Sequence, residues 1–192
     1  DGYSEAWTQE AKRRGLLNLP TTVDALPRYL DQKNVELFTS HKIYTEAEME
    51  ARYETILEEY SKTLNIEALT MSEMTRQDIL PAVSAYIASL ADAVASKRAV
   101  IAGLPCAAET SLIQKLSGLL DSAYEKVEAL DALVTDGKAS EYDHNTLRVA
   151  TYYKDKIIPA MNELRAVVDQ MEVDTSAAFW PYPSYGDLMF RV

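Results

Sequence analysis

Apolar residues in this chain recur at three- and four-residue steps, the period of helices, and alternating strand-like patterns are hard to find. The clearest run follows Thr45-Glu46-Ala47-Glu48, a capping box in which threonine and glutamate satisfy each other's backbone donors. Behind it Met49, Tyr53, Ile56, Tyr60, Leu64, Ala68 and Met71 share one predicted face. The stripe skips near Pro81 and resumes with Val83, Tyr86, Ile87, Leu90, Val94 and Ile101, and Gly103-Leu104-Pro105 ends it. A straight helix from Thr45 to Ala102 would run to roughly 85 Å. That exceeds a compact domain of this size, so a kink is predicted at Pro81, which removes a helix hydrogen bond and crowds the preceding turn.

A third helix is predicted from Ala107 to Val134, with Leu112, Leu116, Leu119, Ala123, Val127, Leu130 and Val134 on one face and Asp136-Gly137 as its stop. Ser140, with Asp143 three residues on, can cap a fourth helix carrying Leu147, Thr151, Ile158, Met161, Leu164, Val168 and Met171. That helix too holds an interior proline, Pro159. Asp78-Ile79-Leu80-Pro81-Ala82-Val83 and Lys156-Ile157-Ile158-Pro159-Ala160-Met161 look alike, a faint internal repeat. Near the start, Ser4 caps a short helix that Gly15 stops, and Thr22 caps a second through Leu30, weakened by Pro27.

The segment Phe179 to Phe190 is aromatic and broken by Pro181 and Pro183, so it reads as an irregular tail that docks on its own helices or on a neighbouring subunit. The predicted fold class is all-α: an elongated bundle of two long proline-kinked helices and one uninterrupted helix. It divides into an N-terminal helical arm at 1–44, a bundle at 45–178 and a docking tail at 179–192.

Composition narrows the function classes. Nineteen Lys and Arg against 30 Asp and Glu give a net charge of −11. That excludes a dense basic face for nucleic acid and argues against adsorption to anionic membranes. With 47% hydrophobic and 26% charged residues the chain has the make-up of a folded domain. The single cysteine, Cys106, allows neither an internal disulfide nor a cysteine-based zinc site, so a cytoplasmic, reducing setting is expected. No apolar run approaches the ~20 residues of a membrane span; the most apolar stretch is read as Ala99 to Ala108. The opening Asp1-Gly2-Tyr3 suggests a piece of a longer polypeptide.

Candidate chemistry is sparse. His41 and His144 lie about a hundred positions apart, neither in a ligand pattern, and read as surface or cap residues. Cys106 follows a Gly-Leu-Pro turn and has no basic sequence neighbour to activate it. Glu46, Glu48, Glu50, Glu54, Glu58 and Glu59 form an acidic face without the Glu-x-x-His pairs of a di-metal bundle, so they read as a solvated face with Glu58 paired to Lys62. Phosphate-loop and nucleophile-elbow motifs are missing. Tyrosine outnumbers phenylalanine twelve to three, which suits a core rim or a subunit contact. No catalytic, cofactor-binding or metal residue is assigned.

Several blocks then resemble one family. Asp1-Gly2-Tyr3-Ser4-Glu5-Ala6-Trp7 with Glu10-Ala11-Lys12-Arg13-Arg14-Gly15-Leu16-Leu17-Asn18-Leu19 resembles the segment just past the catalytic barrel of type III glutamine synthetases. So do Arg52-Tyr53-Glu54, Asn65-Ile66-Glu67-Ala68-Leu69, Asp78-Ile79-Leu80-Pro81-Ala82 and Tyr152-Tyr153-Lys154-Asp155. The closing Trp180-Pro181-Tyr182-Pro183-Ser184-Tyr185-Gly186-Asp187-Leu188 is similar to that family's C-terminus. The resemblance implies an enzyme that joins ammonia to glutamate with ATP and magnesium, built as a homo-dodecamer of two stacked rings. It implies that this piece is the C-terminal region, with the metal-ligating, nucleotide and substrate residues upstream of Asp1. The expected partners are then the chain's own catalytic domain and other subunits, and the expected role is structural and assembly-related. The rival expectation is a free-standing interaction module that recruits a basic partner to the acidic face.

Overall fold

The computed structural model describes residues 4–140 and 145–190 and is helical throughout, with no strand among them. The arm begins with α1 (Glu5–Arg13), capped by Ser4 Oγ accepting from the Trp7 N–H at 3.3 Å. Gly15, at φ +74°, turns the chain out of it. Helix α2 (Thr22–Ala25) is capped by Thr21 rather than Thr22, because Thr21 Oγ1 reaches the Asp24 N–H. Pro27 then sits in the first turn of a 3₁₀ segment, Leu26–Leu30, where its missing N–H costs nothing. A further helix, α3 (Gln32–Ser40), was not predicted from the sequence pattern, which shows too few apolar positions there. The rings of Tyr29, Phe38 and Tyr44 stack in series at 6.0 and 5.8 Å, and Arg52 lies over Tyr44 at 4.5 Å, fastening the arm to the next helix.

That helix opens on the predicted capping box. The Thr45 N–H donates to Glu48 Oε2 at 2.7 Å, and the Glu48 N–H to Thr45 Oγ1 at 3.3 Å. Helix α4 (Glu46–Met74) then passes through a π turn, Thr75–Ile79, straight into α5 (Leu80–Val100). The whole is one helix of 55 residues, Glu46–Val100, about 80 Å along its axis. The irregularity expected at Pro81 takes the form of that π turn. Pro81 has no N–H for the carbonyl of Gln77 and its ring crowds that turn. Widening the turn lets the Leu80 N–H reach Thr75, five residues back. Pro159 is met in the same way. Helix α7 (Thr146–Tyr152) leads through a π turn, Tyr153–Ile157, into α8 (Ile158–Asp174), and the Ile158 N–H bonds the carbonyl of Tyr153. The faint repeat is therefore structural: each proline stands six residues after the first residue of its π turn.

Helix α6 (Ala107–Ser140) runs without interruption between these two, continuing past its predicted end at Val134. Gly137 lies inside it rather than stopping it. A Cβ there would come within 3.2 Å of the Tyr152 ring, so glycine permits the close approach of α7. Asn145 caps α7, accepting from the Arg148 N–H at 3.0 Å; Ser140 is the last described residue of α6, and Asp143 lies outside the described residues. The core runs along all three long helices, with Leu116, Ala123, Val127, Leu130 and Val134 of α6 at its centre.

Helix α4, and the run from α7 through the second π turn, bury a set shifted from the predicted one. Leu57 is fully buried while Ile56 is 41% exposed, and Val149, Tyr153 and Ile157 are buried while Thr151 and Ile158 are half-buried, Ile158 against the core edge. Residues 75, 79 and 83, and likewise 149, 153, 157 and 161, follow one another at four-residue steps. In an ordinary α-helix three such steps would turn about 120° off the face, and the wider turn holds them against α6.

The tail after α8 is partly ordered as expected and partly not. Phe179 packs on Tyr86, with ring centres 5.3 Å apart, and Trp180 and Tyr182 join the edge of the core. The tail nevertheless ends in a helix, α9 (Tyr185–Phe190), which starts once both prolines are passed, with Ser184 and Asp187 bonding each other's backbone N–H groups. The accessible surface is 12843 Å², against about 9,200 Å² for a compact monomer of this mass, as an elongated bundle requires.

One sequence expectation fails at α5. By length and composition an 18-residue stretch of Glu46–Val100 is apolar enough to cross a membrane, and only 11% of it is buried. The stretch lies at the α5 end, where alanines among Val, Ile and Leu raise the average over a span length without forming an obvious run.

Candidate functional site

The residues singled out by type stand far apart. His41 is exposed at the end of α3, and His144 lies outside the described residues. Cys106 is buried in the α5–α6 connection with φ +46°, and its carbonyl receives both the Thr110 N–H at 3.0 Å and the Thr110 hydroxyl at 2.8 Å. It acts as the cap of α6. The glutamates of α4 face solvent, and Glu58 pairs with Lys62 at 3.0 Å as expected. Among the described residues no group of three or more His, Cys, Asp or Glu side chains is placed to hold a metal ion.

The polar side chains that do converge join one helix to another. The densest cluster centres on Arg76, in the first π turn. Its Nε and Nη2 donate to Asp131 Oδ2 at 3.0 and 2.6 Å, and Nη2 also to Glu128 Oε1 at 2.5 Å. Ser72 Oγ donates to the other oxygen, Asp131 Oδ1, at 2.6 Å. The two α6 carboxylates, Glu128 foremost, hold the guanidinium above its already high pKa. The widened turn carries Arg76 towards α6, and the sequence pattern gave no hint of this tie, because its partners are more than fifty positions away.

A second junction joins the arm to the other π turn. Lys154 Nζ donates to Asp24 Oδ1 at 2.9 Å, and the Thr21 hydroxyl donates to Asp24 Oδ2 at 2.6 Å. Those hydrogen bonds, the one from Thr21 first, lower the Asp24 pKa. Lys97 with Glu109 closes the far end of the α5–α6 hairpin, and Lys115 Nζ lies 2.5 Å from Asp174 where α8 ends. In the tail, the Tyr182 hydroxyl donates to Asp78 Oδ2 at 2.8 Å. Burial and the neighbouring carboxylate push this phenol up to about 12. Tyr153 is fully buried in the core, and Tyr152, at the rim, donates to the Leu133 carbonyl at 2.9 Å, whereas Tyr124 is exposed.

Most of these contacts tie one part of the bundle, arm or tail to another. The family described as "Glutamine synthetase C-terminal domain" matches residues 1–98. The chain belongs to this family. Glutamine synthetase from Butyrivibrio fibrisolvens is 36% identical over 192 residues, covering all of this chain and 27% of that protein. The type-3 glutamine synthetase of Dictyostelium discoideum is 33% identical over 99% of this chain and 26% of its own length. Glutamine synthetase from Bacteroides fragilis is 28% identical over the same shares. The chain therefore spans about a quarter of the length of the curated relatives it matches. Within this glutamine synthetase family the similarity runs well past residue 98, through α6, α8 and the tail.

Proposed function

We propose that this chain is the non-catalytic C-terminal helical region of a type III glutamine synthetase, an ATP- and magnesium-dependent glutamate–ammonia ligase, and that it serves structure and oligomer assembly. The observation that carries this reading is the full-length similarity of the chain to about a quarter of three glutamine synthetases. It is supported by the character of the polar clusters. Arg76, Lys154 and Tyr182 all spend their hydrogen-bonding capacity on neighbouring helices of the same chain. On this reading the catalytic groups lie elsewhere in a cytoplasmic polypeptide, and the partners are its catalytic domain and other subunits of a homo-oligomer.

Two measurements test it. The purified chain, supplied with glutamate, ammonia, ATP and magnesium, is expected to form no glutamine above background; clear turnover would show that it carries a site. The complete enzyme truncated before Phe179 is expected to lose its assembled state by mass photometry. Unchanged assembly with unchanged rates would remove the assembly role.

A further inference from the structure

Two apolar features of this chain are left without partners. The first is a groove of about 370 Å³ between α4 and α8, walled by Ile66, Met71, Met74, Ile79, Leu164 and Val168. Arg165 and Glu67 stand on its rim. The second is the end of the tail: Leu188, Met189 and Phe190 of α9 are 67%, 72% and 81% exposed.

The path of the tail connects them. Phe179 packs on Tyr86 and Tyr182 bonds Asp78, so the tail descends the long helix toward its N-terminal half. The eight residues from Tyr86 back to Asp78 span about 12 Å of helix, and three extended tail residues cover about 10 Å. Continued on that heading, residues 185–190 would come within reach of Met74 to Ile66, the α4 wall of the groove. The anchored part of the tail is continuous with that wall: Asp78 belongs to the π turn whose Thr75 and Ile79 line it. Charge agrees as well. Asp187 is acidic, and the rim of α8 offers Arg165, whose own partner Asp169 lies at 3.5 Å on an exposed face. The short tether from Tyr182 gives α9 a high effective concentration at this groove, well above that of a segment from another molecule.

We propose that α9 closes as a strap over the groove between α4 and α8 of its own chain, seating Leu188, Met189 and Phe190 against its apolar walls. The inference concerns this chain alone and does not depend on the assembly role proposed above.

Cysteine pairing tests it in the full chain. With Cys106→Ser removing the native thiol, Met189→Cys is combined with Val168→Cys and exposed to a mild oxidant at low protein concentration. Closure is expected to give an intrachain disulfide, read as loss of both thiols without a dimer band under non-reducing electrophoresis. Free thiols after oxidation would overturn the proposal, and so would a disulfide-linked dimer, which would seat α9 on a second molecule. A second measurement needs no cysteines. Methionine oxidation followed by mass spectrometry is expected to modify Met74 several-fold faster once residues 185–190 onward are removed, since oxidation follows exposure. An unchanged Met74 rate, in a truncated chain whose circular dichroism is preserved, would overturn it independently.

Discussion

Tyr182 and Asp78, 104 positions apart in the chain, share a 2.8 Å hydrogen bond that pins the tail to the first π turn. The phenol titrates at about 12 rather than at its ordinary 10.0, so the folded tail favours the protonated form. A raised folded pKa means that this contribution is complete below the unfolded value near pH 10 and is lost as pH rises through about 12. Trp180 fluorescence is expected to report release of the tail across that window. In Tyr182→Phe the tail should dock more weakly at neutral pH and lose the alkaline step; an identical step in both proteins would assign it to other groups.

Arg76 offers a test of what holds α4 to α6. Arg76→Ala is expected to lower stability by roughly 1–2 kcal/mol in urea unfolding, since the contacts are charge-assisted yet about one-third exposed. Arg76→Lys should recover only part of this, because one ammonium cannot reproduce the forked contact with both carboxylates. Full recovery would mean that bare charge suffices.

Two glycines of α6 should respond in opposite ways to the same substitution. Nothing lies within 4 Å of a Cβ built at Gly118, so Gly118→Ala should raise stability by about 0.4–1 kcal/mol through lost unfolded-state freedom. At Gly137 the new methyl meets the Tyr152 ring at 3.2 Å, and that ring is held by its bond to the Leu133 carbonyl. Gly137→Ala should therefore lower the melting temperature. Parallel thermal unfolding of both variants checks the contrast.

The placement of the core can be read from a neighbouring pair. Leu57→Ala should cost about 2–5 kcal/mol, as for other fully buried leucines. Ile56→Ala, at a side chain 41% exposed, should cost less than about 1 kcal/mol. Chemical unfolding of the two variants decides; a larger loss at Ile56 would contradict the packing described.

The long helices and their order were legible in the sequence, because capping residues and apolar periodicity act locally, whereas α3 and α9 were not. Thr45 with Glu48, Ser4 and Gly15 all perform the roles their types imply, and α6 buries most of its predicted stripe. What escaped were consequences of the prolines and of long-range contacts. A period of 3.6 residues does not allow for a widened turn, so the full burial of Tyr153 and Ile157 was missed. Gly137 reads as a stop only while Tyr152 is out of view. The family was legible from separated blocks such as Trp180 to Leu188, whereas the Arg76, Lys154 and Tyr182 junctions depend on partners that spacing cannot reveal.

Each of the two outer helices carries one residue more than an unbroken helix of the same reach would need. Between Thr75 and Pro81, and again between Tyr153 and Pro159, the count of residues is therefore as constrained as their identity. Deleting a single amino acid in either interval would leave Val83 or Met161 facing α6 but would place Pro81 or Pro159 inside an ordinary α turn, where its ring meets the carbonyl four residues back and no N–H answers that carbonyl. Conservative replacements should be tolerated in these intervals far better than the loss of one position.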